Sequence, residues 1–263
     1  DQSAAVKVLS LYLGVTAPTV VTDPASAETI KYAANAFLAT KLSFVNAIAA
    51  VCEGVGADVD DVILGLGYDT RIGSEFLKPG PGWGGSCFPK DTRALVRIAE
   101  QGGYDFRLLD GVIAVNEEQF SRIANKVRDA VGGDLAGRTV GVWGLTFKAG
   151  TDDLRESPAL SVIQRLTSAD ASVCAYDPTV NAVGDLPAGY ETLDLADNAL
   201  SACDGADVLV VLTEWNEFRA LDLGQAAAVM KGSALLDLRN VYQPRLAAEA
   251  GLSYRGVGRQ PAR

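Results

Sequence analysis

Histidine is missing from all 263 residues, and with it every histidine-based triad, general acid or base, and metal ligand. The four cysteines, Cys52, Cys87, Cys174 and Cys203, stand far apart with no CxxC pair. That spacing sets zinc aside and, with no secretory hydrophobic segment, reads as a reduced, cytoplasmic chain. Methionine occurs once, at Met230, and the chain opens DQSAAVK, so it reads as a processed product, an engineered piece or the ordered part of something longer. No dense basic run offsets a formal charge of -10, from 33 acidic and 23 basic residues. A duplex nucleic acid or an anionic membrane is therefore not an expected partner. Cysteine, lysine and carboxylates remain as candidate chemistry, and local cations leave room for a phosphorylated small ligand.

In the first half the apolar spacing is helical. A short helix is expected over residues 3–13. Asp23-Pro24 then reads as a helix start, with Asp as N-cap and Pro in the first turn. The pattern beyond it runs to about Glu53, roughly 30 residues or about 45 Å, before Gly54 and Gly56 stop it. Ile30, Phe37, Phe44 and Val51 recur every seven positions, while Lys31, Asn35, Lys41 and Asn46 argue against a membrane span. The pattern fits a homodimer interface through the helix around residues 24–53, the favoured expectation, or burial in the core of one monomer. Helices are expected again at 58–66, from Lys90 or Asp91 to Gln101, and at 106–131, with a loop over 67–89.

From residue 137 the period changes to short apolar runs. Strands are expected at 139–144, 172–178, 207–213 and 234–239, with a weak fifth at 254–258, and helices between the first four at 158–168, 195–203 and 223–230. Such alternation implies a parallel sheet covered on both faces. Asp177 ends the second run about where a ribose-binding acid would sit, but no GxGxxG turn follows the first. GVWGLTFKAGTDDLRESP stands there instead, either wrapping a nucleotide or forming a surface insertion.

The densest chemical signal is KPGPGWGGSCFPKD, Lys78 to Asp91. Alone, Cys87 is as readily a buried filler as a nucleophile. Gly84, Gly85 and Ser86 leave backbone N–H groups free before it, and Lys90 and Asp91 follow at a helix mouth. Lys31 and Asn35, four apart, share one helix face. If that face meets the Cys87 loop, a cation and an amide would lie over the group under attack, as an oxyanion requires.

KYAANAFLATKLSFVNAIAAVCEGVGAD, DTRIGSEFLKPGPGWGGSCFPKD, GLTFKAGTDDLRESPAL and YDP, in this order, resemble the UDP-glucose/GDP-mannose dehydrogenase family, on its UDP-glucose 6-dehydrogenase side. The resemblance implies an all-helical central and dimerisation domain over residues 1–118. An α/β Rossmann-like three-layer domain with a mostly parallel sheet follows over 119–263 and binds the nucleotide of the sugar. It also implies that NAD is bound mainly by an N-terminal domain absent from these residues. The implied reaction oxidises C6 of a UDP-sugar twice through a Cys87 thiohemiacetal and thioester. Lys31 and Asn35 would stabilise charge on the C6 oxygen, and Asp91 would orient water while pairing with Lys31. Implied substrate contacts are Arg71 from across the dimer, Phe76, Leu77, Lys78, Trp83, Gly84, Lys148 and Arg239. Lys90 and Arg155 are implied near the cofactor, and no metal is. Within the family, GDP-mannose or another nucleotide sugar is the alternative substrate. Without its cofactor domain the chain would be a non-catalytic nucleotide-sugar binding and dimerisation module.

Overall fold

A computed structural model describes residues 1–260. After a short α1 (Gln2–Ser10), the long apolar pattern forms α2 (Pro24–Val55). Asp23 accepts a hydrogen bond from the Ser26 N–H at 2.9 Å, and Pro24 occupies the first turn, where no N–H is required. Gly54 stays inside the helix. The stop comes at Gly56, whose φ of 77° is a left-handed conformation that side chains resist.

α3 (Val59–Gly67), α4 (Phe88–Gln101) and α5 (Arg107–Ala130) follow. α4 begins earlier than expected because Pro89 fits its first turn. The buried face of α2 is small and partly polar, Ala36, Ala39, Ser43, Val45, Asn46, Ala49 and Cys52, and packs on α4 and α5. Its length and composition would suffice to cross a membrane. The seven-residue stripe lies elsewhere: Ile30, Phe37, Phe44 and Val51 are 54, 66, 52 and 57% exposed. Burial of that stripe inside the monomer, one of the two expectations, does not occur.

Six parallel strands follow, β1 (Thr139–Trp143), β2 (Ser172–Tyr176), β3 (Asp194–Leu195), β4 (Val208–Val211), β5 (Ala234–Asp237) and β6 (Ser253–Gly256), in the order β3-β2-β1-β4-β5-β6. α6 (Pro158–Thr167), α7 (Asn216–Ala220), α8 (Leu223–Val229) and α9 (Pro244–Glu249) lie in the crossovers. Alternation along β4 serves two cores. Val208 and Val210 join residues of α5 and α6, whereas Leu209 and Val211 join Phe218, Leu223 and Ala226.

The helix expected at 195–203 is absent. Leu195 belongs to β3, where Asp194 pairs with Cys174, and only Ser201–Cys203 coils, as a single 3-10 turn. The segment passes too close to the sheet for a helix: a Cβ on Gly141 would lie 2.6 Å from the Ala202 carbonyl oxygen. Residue 118 falls inside α5. Leu109 and Val112 of that helix pack in the helical core with Ala36, Ala39 and Trp83, while Phe120, Ile123, Ala124 and Val127 pack in the sheet core.

Candidate active site

Before Phe88 the Gly/Pro-rich stretch has no regular structure, so its backbone groups need partners from elsewhere. Three buried amides supply them. Asn46 Oδ1 on α2 accepts from the Gly80 N–H, and Gln119 Nε2 on α5 donates to the Gly80 carbonyl, both at 2.8 Å. Asn116 on α5 accepts from the Trp83 N–H at 2.9 Å and donates to the Trp83 carbonyl at 3.0 Å. Sequence reading missed these residues as site elements, although polar amides on otherwise apolar helix faces were a visible signal.

The loop also presses against the segment between β1 and α6. A Cβ on Gly84 would lie 1.9 Å from the Glu156 carbonyl oxygen, and one on Gly85, at φ 81°, would meet the Phe147 ring at 3.0 Å. Glycine is needed here for close approach. The excursion is therefore no free surface insertion.

Cys87 is exposed and occupies the N-cap position of α4, its Sγ 3.7 Å from Ser86 Oγ. One turn on, Asp91 is fully buried. Lys31 Nζ and Asn35 Nδ2 both donate to its Oδ2, at 2.5 and 2.6 Å, and Lys90 Nζ lies 3.2 Å from Oδ1. The Lys90 ammonium is close without being aligned, so Oδ1 has no hydrogen-bond partner. Burial alone would raise the Asp91 carboxyl, but the hydrogen bonds from Lys31 and Asn35, with the Lys90 ammonium close beside it, outweigh burial and hold it below the usual range. Asp91 in turn raises Lys31, chiefly through their hydrogen bond. Arg155 is exposed and paired with Asp153 at 2.7 Å.

A cleft of about 360 Å³ opens at the start of the cysteine loop, lined by Lys78 together with Arg219, Arg239, Arg259, Asp60 and Glu214. Arg239 donates through Nε to the Leu212 carbonyl at 2.9 Å and through Nη2 to that of Phe147 at 3.0 Å, with Glu214 Oε2 3.0 Å from Nε. Burial pulls its guanidinium below the usual value, and Glu214 opposes this. Arg259 Nε donates to Asp60 at 2.7 Å. Among the described residues Lys78 and Arg219 have no ion pair. Lys148 lies 5.2 Å over the Phe147 ring, so Lys148 and Arg239 meet the same residue of the excursion.

Other residues picked from sequence are engaged elsewhere in the loop and helices. Arg71 is exposed and its Nη2 is 2.5 Å from Asp69 Oδ2. Phe76 packs edge-on to Phe88 at 6.3 Å, and Leu77 is buried. Trp83 packs between the helices, its indole N–H donating to Ser43 Oγ at 2.9 Å. Its ring, like the bare Gly84, serves packing of the loop in this structure. Asp177 is committed too. Its Oδ2 accepts from the N–H groups of Leu145 and Thr146 at 2.8 and 3.1 Å and from Trp215 Nε1 at 3.1 Å. A carboxylate tied into the fold in this way is a structural clasp, which the strand-end position alone could not distinguish from a ribose ligand.

Residues 25–118 match the model of the UDP-glucose/GDP-mannose dehydrogenase family, central domain, and residues 141–244 that of the family's UDP binding domain. The UDP-glucose 6-dehydrogenase of Rhizobium meliloti is 48% identical over 249 residues, covering 95% of this chain and 56% of the relative. That of Pseudomonas aeruginosa is 46% identical over 242 residues, with 90 and 53% covered. The solved structure of a UDP-glucose dehydrogenase from Pyrobaculum islandicum superposes with a TM-score of 0.85 at 35% identity, covering 99% of this chain and 57% of that one. The chain thus spans a little over half the length of these relatives.

Proposed function

Because the chain belongs to the UDP-glucose/GDP-mannose dehydrogenase family, we propose that it is the central and nucleotide-binding part of a UDP-glucose 6-dehydrogenase. The complete enzyme would oxidise the C6 alcohol of UDP-glucose to the carboxylate of UDP-glucuronate. The observation that carries this is the exposed Cys87 heading α4, one turn from a buried Asp91 that gathers Lys31 and Asn35.

In this reading Cys87 Sγ bonds to C6 of the aldehyde left by the first oxidation, and the carbonyl oxygen takes the charge. Lys31 and Asn35 hold that oxygen until it is protonated. Loss of hydride from C6, with release of the C6 hydroxyl proton to solvent, turns the thiohemiacetal into a thioester in the second oxidation. Water oriented by Asp91 then adds to C6, the C–S bond breaks, and sulfur leaves as the free thiol. NAD, when bound, would supply the hydride acceptor for each of the two oxidations. No GxGxxG turn follows β1 and Asp177 is committed to donors within the fold, which supports reading the main dinucleotide site outside the described residues. NAD is therefore assigned mainly to a domain outside them, with Lys90 and Arg155 at its edge.

Residues 1–118 are assigned to the dimerising helical unit and 119–263 to the nucleotide-binding unit, in a cytoplasmic enzyme. Lys78, Lys148 and Arg239 supply cations for the diphosphate, while Phe76 and Leu77 line the sugar side. Arg71 reaches the cleft of a second copy. The exposed stripe of α2 supports that dimer, since burying each such side chain is worth about 1.5–3 kcal/mol.

Calorimetric titration with UDP and GDP tests the nucleotide. Tighter binding of UDP is expected, and a preference for GDP would move the assignment to GDP-mannose. The isolated chain is expected to bind the nucleotide without turning over UDP-glucose and NAD, as a binding and dimerisation module. Robust NADH formation would place a cofactor site within these residues.

A further inference from the structure

Glu156 is held at a φ of 47°, the one side-chain-bearing residue of the β1–α6 excursion with positive φ. Residues other than glycine resist this conformation, so contacts outside the residue must fix it. Two do. Its carbonyl oxygen occupies the space that a side chain on Gly84 would fill, 1.9 Å from the position of a Cβ there. Its carboxylate accepts two hydrogen bonds from Arg93, Nη1 to Oε1 and Nη2 to Oε2, both at 2.8 Å.

The two side chains are 50 and 48% exposed, a setting in which an ion pair adds little to stability. A planar bidentate pair does fix a relative position. Arg93 lies on α4, the helix that Cys87 heads, and Glu156 directly precedes Ser157, the N-cap of α6. The same excursion reaches the cationic cleft, because the Phe147 carbonyl accepts from Arg239 Nη2 at 3.0 Å while the Phe147 ring faces Gly85. A continuous set of contacts therefore runs from the cleft to the cysteine loop, and Arg93 ties it to α4.

We propose that Arg93 and Glu156 form a positioning latch that holds the Cys87 end of α4 in register with the excursion bordering the nucleotide cleft. The latch rests on the reading of Cys87 as nucleophile and touches no reacting atom. Its part is the placement of Sγ against the C6 of a sugar anchored by its diphosphate, so losing it costs rate and leaves binding intact.

The test uses Arg93→Met, Glu156→Gln, Arg93→Lys and the charge-reversed pair Arg93→Glu with Glu156→Arg. In the complete enzyme, Arg93→Met and Glu156→Gln should each lower kcat about tenfold with KM for the nucleotide sugar within about twofold. In this chain alone, amide hydrogen exchange over residues 84–91 should speed up, with the amides of β1 and β4 unchanged. Charge reversal should recover both, whereas Arg93→Lys, with charge but no fork, should recover little. Unchanged kcat or unchanged loop exchange in the single variants would overturn the latch. So would failure of the reversed pair to restore them, or faster exchange throughout the sheet. Cys87→Ser in the same assay separates the two readings. Normal turnover there would remove the nucleophile, while the exchange data still decide the latch.

Discussion

Lys31 and Asp91, 60 positions apart, meet across 2.5 Å, and Asn35 gives the same carboxylate oxygen a second donor at 2.6 Å. The contact pins the exposed start of α2 to the first turn of α4. The two groups assigned to the C6 oxygen are oriented by a buried anion, so little reorganisation is needed when negative charge develops.

Replacing Asp91 with Asn should destabilise the fold by about 1.5–3 kcal/mol, the usual range for hydrogen bonds to a charged group. The carboxyl is held below its normal value when folded. Its contribution is therefore present above the unfolded value, near about 3.9, and fades as pH falls through the lower folded value. Thermal melts of the two proteins should accordingly differ at neutral pH and converge in acid. A constant difference down to the acid limit would mean that Asp91 is not ionised in the fold.

Cys87→Ala should leave UDP binding by calorimetry unchanged while lowering turnover of the complete enzyme by more than about a thousandfold, the scale expected when a nucleophile is removed. Retained turnover would assign Cys87 to packing of the loop.

Charge placed in the α2 stripe tests assembly. Phe37→Asp combined with Phe44→Asp removes two side chains that are 66 and 52% exposed, so the monomer should keep its melting temperature. Light scattering should report a dimer for the parent chain and a monomer for the variant. A monomeric parent at high concentration would refute the assigned interface.

Two glycines should respond in opposite directions. Gly84→Ala forces a Cβ within 1.9 Å of the Glu156 carbonyl, and should cost about 1–3 kcal/mol in urea unfolding, as other overpacked sites do. Gly54→Ala lies within α2 with nothing inside 4 Å of its Cβ, and should add roughly 0.5–1 kcal/mol through helix propensity.

Much of the fold could be read from local patterns because its signals are local. Asp23-Pro24 starts α2, the change of apolar period separates helices from strands, and the Lys31 to Asn35 spacing puts both groups on one face. The 195–203 segment misled because its Ala and Leu residues favour a helix by composition, while in the fold it passes close against the bare Gly141 of the sheet. Asp177 misled for a related reason: what a strand-end carboxylate does depends on which donors reach it, here those of Leu145, Thr146 and Trp215. The amides that hold the cysteine loop come from three places on α2 and α5, so their common purpose appears only when those helices are side by side.

α5 has a consequence for how the molecule comes apart. Its first turns stand in one core and its later turns in the other, so no cut near residue 118 leaves both pieces with an intact interior. A fragment ending there would lack the half-helix that carries Phe120 and Ile123. One beginning there would lose the turns that bear Leu109 and Val112. Because α5 contributes to both cores, heat is expected to melt the two stretches matched by the family models in one transition.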